Sequence, residues 1–182
     1  MSNGKIIRDG AIVDNDWTLV AVDGDIPATG KVIVPLKLWL NAQGSPTHVL
    51  NARVEPVGVW LDGSEDVSVL AEAISTIPPI PPIPLIAINF PKFTDGRGYS
   101  AAALLRTRYG FKGELRVVGD VLRDQLFYLQ RVGFNAFAVR VDKDIADALN
   151  GLKDFSETYQ ASTIDPVPLF RRRSASVAGT TQ

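Results

Sequence analysis

The sequence predicts an α/β protein: four consecutive βα units with parallel strands, preceded by a short β-rich segment. Three observations carry this reading. Between Val57 and Leu152, short apolar runs alternate four times with stretches of helical period. The links between the runs are longer than hairpins allow, so each strand returns in the same direction through a right-handed crossover. The first 50 residues instead hold β-prone pieces cut by Gly, Asp, Asn and Pro turn signals.

In chain order, 5–7 and 11–13 read as strands on either side of an Arg8-Asp9-Gly10 hairpin turn, followed by strands at 18–22 and 31–34. Residues 36–41 are a short helix after Pro35 or another strand, since six residues do not separate the two periods; the helix is preferred. The first unit is strand 57–61, followed by Val67, Leu70, Ala71, Ile74 and Ile77 at helical spacing. Strand 85–90 and a helix over about 100–109, stopped by Gly110, make the second. Strand 115–118 opens the third, with Asp120 as the expected N-cap and Leu122, Leu126 and Leu129 on one helix face before Gly133. Strand 136–141 opens the fourth, with Ile145, Ala148, Leu149 and Leu152 behind it. Four such units make either a small open sheet or half of an eight-fold barrel, completed by the amino-terminal strands or by a second copy in a homodimer. Residues 77–84 read IPPIPPIP, a stiff polyproline II connector, or a ligand for a proline-binding module. The reading is one domain over 1–162, β-rich over 1–50 and built of βα repeats over 57–155, with a flexible tail over 163–182.

Composition excludes several chemistries. With 19 basic and 20 acidic residues there is no field to gather nucleic acid. There is no cysteine, so disulfides, thiolate metal sites and dithiol redox chemistry are absent. His48 is the one histidine, reads as a loop residue, and leaves no material for a zinc cluster. The first ten residues lack the apolar run of a secretory leader, and 77–90, broken by five prolines, falls short of a membrane span. The expected location is the cytoplasm. Phe127, Tyr128, Phe134, Trp39 and Trp60 read as core.

The segment 89–100, between a strand and a helix start, is dense in polar groups. Ligands of α/β sheets bind where strand carboxyl ends open a crevice and helix N–H groups face it. Lys92 and Arg97 supply cations for an oxyanion or phosphate ligand, with Asn89, Asp95 and Tyr99 beside them; the bland reading is a loop held by its own ion pairs. Residues 96–101, GRGYSA, also match the G-x-G-x-x-A spacing of a dinucleotide fingerprint, with Asp120 placed as the ribose-binding acid. Five residues separate it from the strand, however, where the true fingerprint has almost none. Whether any cofactor binds is left open. The segment 119–128 places Asp120, Arg123, Asp124 and Gln125 near the same edge. Asp120 and Asp124 are candidate acid/base groups or cation ligands on one helix face, against the alternative of a cap and an intrahelical pair. No metal site is assigned.

The segments 88–100 (INFPKFTDGRGYS) and 113–128 (GELRVVGDVLRDQLFY), with 32–39, 58–61, 133–137 and 168–173, resemble the bacterial domain-of-unknown-function family 934. The resemblance implies a probable oxidoreductase or accessory protein of sulfite reduction in sulfate assimilation, partnered by a sulfite reductase haemoprotein. The family's recurring polar residues fall here on Asn89, Lys92, Asp95, Arg97, Tyr99, Asp120, Arg123, Asp124 and Gln125. Members often carry cysteine where Val132 stands, and the proline link is longer than theirs. The leading expectation is therefore an accessory protein aiding electron delivery to, or assembly of, a sulfite reductase. The alternatives are an independent enzyme binding a small oxyanion at the strand ends, or an NADPH- or flavin-dependent oxidoreductase.

Overall fold

The structure is a computed structural model describing residues 4–43, 45, 48–71, 74 and 83–178. It is an α/β fold with one open, strongly curled half-barrel sheet of eight mixed strands, covered by helices. The strands are β1 (Lys5–Arg8), β2 (Ala11–Asp14), β3 (Trp17–Leu19), β4 (Lys31–Pro35), β5 (Val57–Asp62), β6 (Leu85–Phe90), β7 (Glu114–Gly119) and β8 (Ala136–Phe137). The helices are α1 (Leu36–Gln43), α2 (Arg97–Thr107), α3 (Leu126–Arg131), α4 (Ile145–Gly151) and α5 (Leu169–Ala178).

The strand order is β2-β1-β8-β7-β6-β5-β4-β3. From β3 to β8 all neighbours are parallel, and the β1–β2 hairpin adds to β8 antiparallel. Asp9 (φ 50) and Gly10 (φ 76) form the hairpin turn, the positive-φ pair that matches strand twist. The two outermost strands, β2 and β3, are consecutive in the chain and separated only by Asn15 and Asp16. Three peptide steps reach at most about 11 Å, so the sheet's two edges are tied to each other. That tie, rather than a second copy, makes the sheet curl round an interior.

The two faces follow from the strands' period of two. Outward-facing Val32, Val34, Val59, Leu61, Ile86, Ile88 and Val117 pack with Ala102, Leu105, Leu126, Leu129 and Ala148 into the main core. Each Val, Leu or Ile among them contributes about 1.5–3 kcal/mol on burial. The inner face carries a second, smaller cluster: Ile6, Ile33, Leu85, Ala87, Val118 and Ala138, with Val13, Trp17 and Trp60 against it.

Several expectations change. Pairing of β3 ends at Leu19 and that of β8 at Phe137; beyond it the chain stays beside β7 only through Ala138 N–H to Val117 O (3.0 Å) and Arg140 N–H to Val121 O (3.2 Å). The expected first helix begins as a 3-10 turn, Val67–Leu70, capped by Asp66; Ala71 and Ile74 are helical, and Ile77 lies outside the described residues. The proline link lies there too, apart from Ile83 and Pro84, so the fourfold βα repeat is described in three of its units. The stretch read as an aperiodic tail contains α5, held by Arg172 on Asp165 (2.9 Å) and on Thr158 O (3.1 Å). Tyr128 is 52 % exposed rather than core, Phe127 is half-buried, and Trp60 lies on the inner face, donating to Val20 O (2.8 Å). His48 caps a 3-10 turn by accepting from Leu50 N–H.

Candidate functional site

The parallel strands end together, and the side chains they deliver there define a polar mouth. Asn89, last but one in β6, donates to the Asp62 carboxylate at the end of β5 (2.6 Å). Asp120, just past β7, accepts Phe93 N–H (2.9 Å) and Arg140 Nη1 (2.9 Å), while the rest of the Arg140 guanidinium grips Asp142 (2.9 Å twice). These donors hold the Asp120 carboxyl below the ordinary aspartate range, the Phe93 amide foremost. A carboxylate so stabilised is a weak base, and Asp120 does not cap α3: Leu122 precedes the turn, and Gln125 accepts from Leu122 N–H (2.9 Å). Gln125 also donates to Phe93 O (2.9 Å), so Asp120 and Gln125 together clamp the 91–96 loop by the backbone of Phe93.

Within that loop Arg97 lies two-pronged on Asp95 (2.9 and 2.6 Å), and Asp95 also accepts Arg97 N–H. The Arg97 side chain thereby draws the Asp95 carboxyl down to about 2. Lys92 is exposed, with no side-chain partner among the described residues. Tyr99 packs edge-on to Phe90 and beside Tyr128; burial raises its hydroxyl pKa, and it bonds Gln125. Arg123 turns away to the α4 side, onto Asp154 (2.8 Å) and Asp147 (3.4 Å). Asp124 is exposed and lines an outer groove with Phe127 and Tyr128, so it does not share a face with Asp120. Gly98 is buried where α2 crosses β6: a Cβ there would lie 2.5 Å from the Phe90 ring, and Gly63 abuts the same backbone. That contact accounts for this glycine without a phosphate.

Because its depressed pKa stabilises the fold, the Asp95 contribution is fully present above the usual aspartate value of 3.8 and is lost as pH falls through about 2. The expected carbon-13 titration midpoint of the Asp95 carboxyl is about 2. Arg97→Ala should return it toward 3.8; an unchanged midpoint would show that the pair does not form in solution.

Behind the mouth the inner face encloses a cavity of about 280 Å3. Its apolar wall includes Trp17, Leu19, Ile33 and Val118, and its polar groups are Asn15, Asn89, Arg116 and Arg140. Arg116 is 2 % exposed, yet carries a full guanidinium. Nε lies 2.7 Å and Nη2 2.6 Å from one Glu114 oxygen, and Nη1 donates to Asn15 Oδ1 (2.9 Å) on the segment that ties the sheet's edges. Burial pushes the Arg116 pKa down and Glu114 opposes that. Sequence reasoning does not single out Arg116, Arg140, Asn15 or Trp17. A signal for the first exists: Glu114 and Arg116 sit two apart in a strand otherwise apolar on both faces. Among the described residues no group of three or more His, Cys, Asp or Glu converges as a metal site.

These features define a half-barrel α/β protein with a polar mouth at the strand ends and a charged interior. The chain belongs to DUF934, a bacterial protein family of unknown function, whose model matches residues 58–170. The match spans β5 through the start of α5, including Asn89, Arg116, Asp120 and Arg140; β1–β4, which complete the interior, precede it. No curated protein and no solved structure matches the chain. Among the described residues no helix is long and apolar enough to cross a membrane.

Proposed function

We propose that this protein is an accessory component of assimilatory sulfite reduction in the bacterial cytoplasm, meeting the sulfite reductase haemoprotein through its surface. The resemblance of segments 88–100 and 113–128 suggests the partner, and one structural observation supports a docking role. Tyr128, Phe155 and Tyr159 are 52, 63 and 73 % exposed around a groove of about 520 Å3, with Phe127 against Phe155 (ring centroids 4.9 Å apart). Asp124, Arg131, Asp154 and Glu157 border it. Exposed aromatics ringed by charge are the usual material of interface hot spots. Sulfite reduction by the reductase under its physiological electron donor is expected to depend on this protein. Phe155→Ala with Tyr159→Ala should weaken co-purification at least tenfold. Turnover that is identical with and without the protein would refute the reading.

A second reading, a small oxyanion or phosphate ligand at the strand ends, is favoured by the cavity behind the mouth. In the loop, Arg97 is engaged by Asp95 and Lys92 is the open cation. Phosphate or sulfite should raise the melting temperature of the wild type and not of Lys92→Ala; identical responses would remove the loop from the site. The geometry gives the NADPH or flavin alternative no added support, since packing already accounts for Gly98.

A further inference from the structure

On the inner face Ile33 pairs with Gly58, Trp60 with Ala87, Ala87 with Arg116, and Arg116 with Ala136. Ala138 lines the cavity directly, at a position where a filled barrel would carry a bulky branched side chain. Into this space comes a buried arginine, a residue that costs several kcal/mol to desolvate.

Arg116 Nη2 lies 2.6 Å from the Glu114 oxygen that Nε donates to, and makes no hydrogen bond of good geometry itself. The carboxylates approach from outside the cavity. Glu114 stands two residues before Arg116 on the same face, at the opposite end of β7 from the mouth, and Asp120 and Asp142 hold Arg140 at the rim. The lining itself contains two arginines and two asparagines and no carboxylate.

We propose that this interior binds a small organic monoanion, a carboxylate or sulfonate, with its charged group on Arg116 and its apolar body against Trp17 and Val118. The inference rests on the second reading above and moves the ligand from the exposed loop into the half-barrel. About 280 Å3 sits just below the usual range of ligand pockets, which limits the ligand to a few carbon atoms. A planar arginine fork matches a carboxylate or sulfonate, and Arg140 and Asn89 add further donors to the cavity lining.

The test uses the full chain, with butyrate and propane-1-sulfonate as probes, butan-1-ol as their uncharged counterpart, and tryptophan fluorescence with calorimetry as readouts. Both anions should bind saturably, and the alcohol at least tenfold more weakly. Ala138→Leu fills the cavity without altering any charge, and should reduce binding at least tenfold while the melting temperature stays close to wild type. Arg116→Lys, which keeps the charge opposite Glu114 but loses the fork, should also weaken binding at least tenfold. Wild-type binding of butyrate to both variants would overturn the interior site. Binding of phosphate or sulfite that Lys92→Ala abolishes and Ala138→Leu leaves intact would overturn it too, and leave the loop reading standing. No anion binding at all would overturn both.

Discussion

Gly119→Ala is expected to destabilise the protein by at least about 3 kcal/mol, a large share of the 5–15 kcal/mol that holds a domain of this size together. Gly119 ends β7 with φ 99, a region that costs an L-residue about 1–3 kcal/mol. Sterics add to the strain. A Cβ would stand 2.3 Å from Phe90 O and 2.6 Å from Asn89 Oδ1. Neither neighbour can yield cheaply. Phe90 O accepts Asp120 N–H (2.7 Å), the bond that joins the ends of β6 and β7, and Asn89 is held by Asp62. The same substitution would therefore displace Asn89 and Asp120 together and disturb the mouth. Gly10→Ala separates the two causes: φ there is 76, but nothing lies within 4 Å of the new Cβ, so only the conformational strain, about 1 kcal/mol, should appear. Urea midpoints at constant slope measure both. A loss below 1 kcal/mol for Gly119→Ala would mean that the β6–β7 ends are not packed as described.

Arg116→Met carries the second large effect, an expected loss of about 3–5 kcal/mol. The deletion leaves Glu114, whose side chain is 13 % exposed, without the guanidinium that lies 2.6 Å away, and removes one donor to Asn15 Oδ1, which also accepts Trp17 N–H (3.3 Å). Arg8, 3.6 Å from the other Glu114 oxygen, compensates only in part because it is itself more exposed. The penalty belongs to the orphaned carboxylate more than to the lost bond. Glu114→Gln combined with Arg116→Met should accordingly recover most of the stability, and the coupling in the double-mutant cycle should be of the order of 2–3 kcal/mol. Additive single effects would show that Glu114 and Arg116 do not form the pair on which the interior is built.

How much of this is legible in the sequence differs by element. The hairpin at Arg8-Asp9-Gly10, the strands at 31–34, 57–61, 85–90 and 115–118, and the stop at Gly110 all appear in the structure within a residue or two. Each rests on a local signal: turn residues, or a period within one short run. The candidate site fares differently. Asn89, Asp120, Gln125 and the 91–96 loop do converge, through the Phe93 backbone, but Arg123 and Asp124 point to the α4 side and the outer groove. Local pattern puts Asp120 at a helix start because aspartate after a strand is a common cap. Its actual partner, Arg140, is 20 residues away, and no local pattern pairs them.

The sequence by itself determined the α/β class, most strand positions, the exclusion of thiol chemistry and the family likeness, because all of these live in composition, short-range period or contiguous motif. Only the tertiary structure decided that the sheet curls into a half-barrel. That outcome depends on β2 and β3, neighbours in the chain, lying at opposite edges of the sheet, and on which face each alternating residue shows. For the same reason Asn15, Trp17, Arg116 and Arg140, far apart in the chain, share one cavity only once the chain has closed around it.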